Sequence, residues 1–215
     1  MGIDVTYIAI VLGVVLFSMT FHEAMHAYAS YWLGDHTAKA EGRLTLNPIA
    51  HIDPFLTILL PILLAIAGLP IFGGAKPVPF NPYGLRYGDY GAAIVGAAGP
   101  LTNLLIAFVA FGIYVAIGLP SAGTTLGMVF QALVYVNLGF FVFNSLPIPP
   151  LDGSRVLYAL APDGARRFME VVEQYGIFVV FAIVLLFNQQ LGQFMGAAIS
   201  FFVNAFASLF GIRVV

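Results

Sequence analysis

His22-Glu23-Ala24-Met25-His26 places two imidazoles four residues apart, with a carboxylate next to the first. On a helix, residues four apart share a face, so both rings can point at one cation while Glu23 stands beside it. Zinc with three protein ligands keeps a fourth position for water and lowers that water's pKa to about 7, so a neighbouring carboxylate can take its proton. The spacing therefore offers hydrolytic chemistry. The competing structural reading is two histidines and a glutamate satisfied by neighbouring helices. Three ionisable groups inside or just below an apolar span are costly, however, and such groups usually serve function.

A third ligand is needed, and the acids and histidines outside the motif are Asp35, His36, His51, Asp53, Asp89 and Asp152 among the candidates weighed. Asp152 differs from the others by context. It follows Asn144-Ser145-Leu146-Pro147-Ile148-Pro149-Pro150-Leu151, where an apolar span ends in prolines that forbid regular helix. Irregular backbone at membrane depth normally lines a polar cavity. The alternative is a turn in which Asp152 caps the next short helix, and the residues alone leave both readings open.

The elements that must position these groups are apolar. Of 215 residues, 60% are hydrophobic and 8% charged, with a mean hydropathy of +0.97. Soluble domains average about 45–50% apolar and about 25% charged, so the expected solvent is the bilayer. The expected fold is an all-α, polytopic integral membrane helical bundle of five to six spans, one domain over residues 1–215. A net charge of −2 offers no polyanion-binding surface, which sets nucleic acid aside as a partner. With no cysteine, any metal must sit on His, Asp or Glu.

The first apolar run, residues 3–19, continues with helical character to about Trp32. No Lys or Arg precedes it and no small-x-small pattern closes it, so it reads as a retained span. Met1 to Thr6 fits a myristoylation pattern, which a spanning helix does not need. Further apolar runs cover 55–72, 91–119, 126–148, 176–187 and 191–212. The polar loops 34–54 and 73–90 are expected to hold short extended segments that could present an edge to an extended peptide.

Basic residues orient the chain. Lys39 and Arg43, Lys76 and Arg86, then Arg155, Arg166 and Arg167, and finally Arg213 lie in the polar stretches and at the C-terminus, while the connections near Ser121 and Asn188 carry none. By the positive-inside rule these stretches are cytoplasmic, which requires 55–72 to form a re-entrant hairpin turned near Pro61 or Gly68. A single crossing there would put Asp152 on the opposite side from His26. The active site and the C-terminus are then expected on the cytoplasmic side of the cell membrane.

His22-Glu23-x-x-His26, followed by Asn144-x-x-Pro147 and Leu151-Asp152-Gly153, resembles the site-2 protease family of intramembrane zinc metalloproteases. The Gly99-Pro100-Leu101-Thr102-Asn103 start of a span and the Ala75-Lys76-Pro77-Val78-Pro79 loop are similar to those of compact prokaryotic members. The resemblance covers most of residues 21–155. It implies that His22, His26 and Asp152 bind one zinc ion, that Glu23 is the general base, and that the substrates are transmembrane segments of other membrane proteins cut in regulated proteolysis. Neither an insertion long enough for a PDZ domain nor a nucleotide-binding domain after the last span is expected.

Asn137 and Asn144 lie seven apart, roughly on one helix face. Asn144 is expected to hold substrate backbone or the developing oxyanion, with Asn137 and Asn103 as further candidates for that role. Interhelical packing bonds are the plain alternative for these amides. Gly91, Gly96, Ala97 and Gly99 read as a close-packing surface, and His36 and His51 as loop histidines, the latter near the access path. The rival function is a metal-binding membrane transporter or helix-binding scaffold without proteolysis. Glu23 argues against it, since a zinc carrier needs ligands but no adjacent base.

Overall fold

A computed structural model describes residues 5–69 and 73–212. Residues 1–4 of the acylation pattern and Arg213 fall outside these. Helix α1 (Val5–Trp32) and helix α4 (Asp89–Ala116) have 28 residues each, about 42 Å at 1.5 Å per residue, enough to cross a hydrocarbon core of about 30 Å. Helix α5 (Thr125–Asn144) starts where the Thr124 hydroxyl accepts from the Gly127 N–H at 3.1 Å, and it ends before the prolines at 147, 149 and 150. Helix α9 (Asn188–Leu209) closes the bundle. These four are long and apolar enough to span a membrane. Their outward faces carry exposed Leu12, Leu105, Ile113 and Phe201, as expected where lipid is the solvent.

Between α1 and α4 lie helix α2 (Thr37–Ala40), a π-helix (Pro54–Leu59) and helix α3 (Leu60–Ile66). The Asp53 carboxylate caps the π-helix by accepting from the N–H groups of Phe55 and Leu56 at 2.9 and 2.8 Å. Past α3 the chain turns at Gly68, which has the left-handed φ of +67° that suits glycine. It then returns to its start: the Gly74 N–H donates to Leu56 O at 3.1 Å and the Lys76 N–H to His51 O at 2.9 Å. The residues just after the apolar segment thus lie beside those that open it. Individual residues such as Ile52 and Asp53 are extended, but the described residues contain no strand. The expected short strand edge is therefore absent among them.

After α5 come helix α6 (Gly153–Leu160), helix α7 (Asp163–Gln174) and helix α8 (Gly176–Leu186). The run at 176–187, expected to be a span, gives an α8 of only 11 residues, about 16 Å long. A fifth crossing exists only if α7 and α8, bent by 84°, count as one span.

Helix α4 is the hub, packing against α1, α5 and α6. Ala107, Ala110 and Phe111 of α4 form the main buried cluster with Val134 and Leu138 of α5 and Phe206 of α9. Below that cluster α4 turns small residues toward α1 and α6, and there the polar groups meet.

Candidate metal centre

His22 and His26 lie on the inner face of α1, 6% and 7% exposed. Asp152 stands at the start of α6, but its carboxylate makes no capping bond. Oδ2 instead lies 3.0 Å from His22 Nε2 and 3.3 Å from His26 Nε2, and the two Nε2 atoms are 3.0 Å apart. Of the two readings open for Asp152, the geometry realises the one in which it joins the histidines.

The outer nitrogens test whether a cation fits. His26 Nδ1 is 2.7 Å from the carbonyl of Val95, and His22 Nδ1 is 2.6 Å from Asn103 Oδ1. Each Nδ1–H donates outward, so in the neutral rings each Nε2 keeps a lone pair. Two lone pairs and a carboxylate oxygen then face one another, an arrangement that a shared proton or a metal cation relieves. Tetrahedral zinc with bonds of about 2.0–2.1 Å separates its ligand atoms by about 3.3–3.4 Å, close to the observed triangle. Glu23 is half-buried and, among the described residues, its carboxylate makes no hydrogen bond or ion pair.

Helix α4 shapes the space for this triangle. A Cβ on Gly99 would lie 2.3 Å from His26 Nε2 and 2.6 Å from His22 Nε2, and one on Gly96 would lie 2.9 Å from Asp152 O. Beside the triangle, a groove of about 400 Å³ opens between Ala97 and Leu101 of α4, Phe141 and Ser145 at the end of α5, and Leu157 of α6.

Residues 118–187, which include Asp152, match the family model described as peptidase family M50. The chain is 44% identical over 184 residues to the "putative zinc metalloprotease YwhC" of Bacillus subtilis, covering 83% of this chain and 80% of that protein. The chain belongs to peptidase family M50, the site-2 protease family. Other relatives in this family are the "putative zinc metalloprotease Rip2" of Mycolicibacterium smegmatis, 33% identical, and of Mycobacterium tuberculosis, 32% identical. The alignments cover 83% and 84% of this chain but 66% and 68% of those proteins. No solved structure matches the chain with significance. Family membership and the four apolar helices make this an integral membrane protein of a zinc metalloprotease family.

The polar residues outside the triangle fall as follows. Asn103 and Asn137 are fully buried, 0% exposed, and bonded to each other between α4 and α5. Asn103 lies in the interior of α4, not at the start of a span. Asn144 remains half-buried at the end of α5, its Nδ2 donating to Phe140 O at 3.0 Å. His51 does not line an access path: it is 0% exposed, with Nδ1 accepting from Arg43 Nη2 and Nε2 donating to Thr45 O. His36 packs its ring edge-on against Tyr31. Asp89 pairs with Arg166 at 2.8 Å, and Asp53 is committed to its cap.

Asp35 is equally committed. It accepts from the Thr37 hydroxyl and N–H and, through Oδ2, from the Asn81 N–H at 2.8 Å. Burial pushes this carboxyl up, but those donors outweigh it and hold the pKa below its ordinary 3.8. The sequence reading missed the Val95 carbonyl, for which no side-chain signal exists. Gly99 was visible only as a small residue.

Proposed function

We propose that this protein is an intramembrane zinc endopeptidase that hydrolyses peptide bonds in or near transmembrane segments of other membrane proteins. The observation that carries this reading is the convergence of His22 Nε2, His26 Nε2 and Asp152 Oδ2 on one buried point beside the uncommitted Glu23. One zinc ion held there supplies a Lewis acid for the scissile carbonyl and acidifies water. Glu23 takes a proton from the attacking water and later delivers it to the leaving amine.

A helical substrate hides its carbonyls in the i to i+4 ladder, so the scissile segment unwinds before it is cut. The apolar groove next to Asp152 receives a hydrophobic side chain of that segment. Asn144, at the lip of the broken backbone after α5, holds the substrate main chain or the developing oxyanion. The basic residues of the polar loops support a site and a C-terminus on the cytoplasmic side of the cell membrane, where cleavage would release a cytoplasmic product.

The test is cleavage of a panel of single-span substrates by detergent-purified protein, with zinc content measured in parallel. Wild type is expected to cleave, Glu23→Gln to hold zinc without cleaving, and Asp152→Ala to lose zinc. If all three hold zinc equally and none cleaves, Asp152 is no ligand and the transporter or scaffold reading replaces this one.

A further inference from the structure

Three fully buried polar side chains stand behind His22: Ser18 of α1, Asn103 of α4 and Asn137 of α5, all 0% exposed. We infer that Asn137 and Asn103 form a directed amide relay that positions His22 for metal binding, anchored on one backbone carbonyl of α5. The inference rests on the reading of His22 as a metal ligand and adds two positioning residues to it.

The direction of the relay is forced step by step. Asn137 Nδ2 lies 2.8 Å from Leu133 O and 2.8 Å from Ser18 Oγ. A carbonyl only accepts, so the Asn137 amide has its nitrogen on that side and its oxygen turned to α4. There Asn103 Nδ2 donates to Asn137 Oδ1 at 2.8 Å and reaches Ser18 O at 3.4 Å. With its nitrogen committed, Asn103 presents its oxygen to His22 Nδ1 at 2.6 Å. That oxygen requires a proton on Nδ1, which leaves Nε2 as the free donor atom for a metal. Every dipole in the chain points the same way, and aligned bonds in a low-dielectric interior reinforce one another.

Outer partners of this kind fix ring orientation and raise ligand basicity. The two histidines are held differently. His26 is oriented by a main-chain carbonyl of α4, whereas His22 depends on side chains from two further helices. The relay is complete only while α1, α4 and α5 are packed together, so the orientation of His22 is tied to that packing.

The experiment is competition between a chelator and the purified full chain for zinc, together with the visible absorption of the cobalt-loaded protein. Asn103→Leu should weaken metal binding by about 10–100-fold and move the cobalt bands. Asn137→Leu should weaken it less. Because Asn137 acts through Asn103, adding Asn137→Leu to Asn103→Leu should cost nothing more, a non-additivity that independent packing roles would not give.

Asn103→Asp, nearly isosteric, keeps an oxygen on His22 Nδ1 but gives up the donations to Asn137 Oδ1 and Ser18 O, setting a carboxylate oxygen against both. It should retain more affinity than Asn103→Leu, and it serves if the leucine variants fail to fold. Additive losses, equal loss in the aspartate and leucine variants, or unchanged affinity and spectra in both single variants would overturn the relay while leaving the metal reading intact. A wild type that takes up neither metal would overturn both.

Discussion

Gly99 of α4 faces the His26 ring so closely that a single added methyl carbon would stand 2.3 Å from Nε2. The contact falls on the atom that points at the would-be metal, so relief can come only from turning the imidazole away. In an ordinary helix interior, alanine is favoured over glycine by about 0.8–1.0 kcal/mol. Here Gly99→Ala should strengthen the helix yet lower zinc affinity by about 100-fold, at the upper end of what lost ligand orientation costs. Zinc titration against a chelator checks this. Wild-type affinity in Gly99→Ala would mean that the rings do not sit where α4 meets them.

Ala97 and Leu101 are one helical turn apart on the α4 wall of the groove beside Asp152. Filling the groove with Ala97→Phe should leave zinc content unchanged and reduce cleavage of a single-span substrate by about 10–100-fold, the scale on which an apolar pocket discriminates by size. Substrates with glycine or alanine next to the scissile bond should lose least. An equal loss for all substrates would remove the groove from substrate selection.

The Arg43 guanidinium is 3% exposed and donates to Lys76 O, Pro77 O and His51 Nδ1, which ties residues 43–51 to the returning limb of the hairpin. Arg43→Ala orphans those acceptors at about 1–3 kcal/mol for each that stays buried. Limited proteolysis within 73–80 should then accelerate at least about tenfold, the equivalent of ~1.4 kcal/mol, while zinc content holds. An unchanged digestion rate would show that the Asp53 cap and the Asn81–Asp35 bond suffice.

Asp35 gives a pH dependence with a definite sign. Its pKa is lowered in the folded state, so the stability it contributes is fully present above 3.8 and is lost as pH falls through the lower folded value. Asp35→Asn sets an amide N–H against the Asn81 N–H. Its melting temperature should lie several degrees below wild type at pH 7, with the gap closing below about pH 3.8. A gap of constant size down to pH 3 would assign the loss to packing instead of charge.

The chemistry of this protein was more legible than its scaffolding. The His22–His26 spacing announced two of the groups that meet, because helix periodicity and the cost of buried charge act locally; the proline-broken approach set Asp152 apart but left a capping role open, and only the family resemblance joined it to the histidines. The expectation of a hairpin at 55–72 came from the distribution of Lys and Arg, and the described residues on either side of it are bonded together at Leu56 and Gly74. The bend between α7 and α8 did not, since the apolar run beginning at Gly176 looks the same whether its helix crosses or stops after 11 residues. Asn103 and Asn137 were visible as polar residues in apolar spans. Which way their amides face depends on Leu133 O and on the approach of three helices, information that no single stretch of chain carries.

The Val95 carbonyl that holds His26 has a consequence for how such a site tolerates change. Val95 is buried, and it is its peptide oxygen that accepts from the ring. Any residue that keeps α4 in place would supply the same acceptor, so this part of the site is invisible to substitution scanning and can be altered only by backbone chemistry, such as replacing an amide with an ester. The bond at His26 Nδ1 is thus written in the path of a helix and not in the identity of the residue at 95.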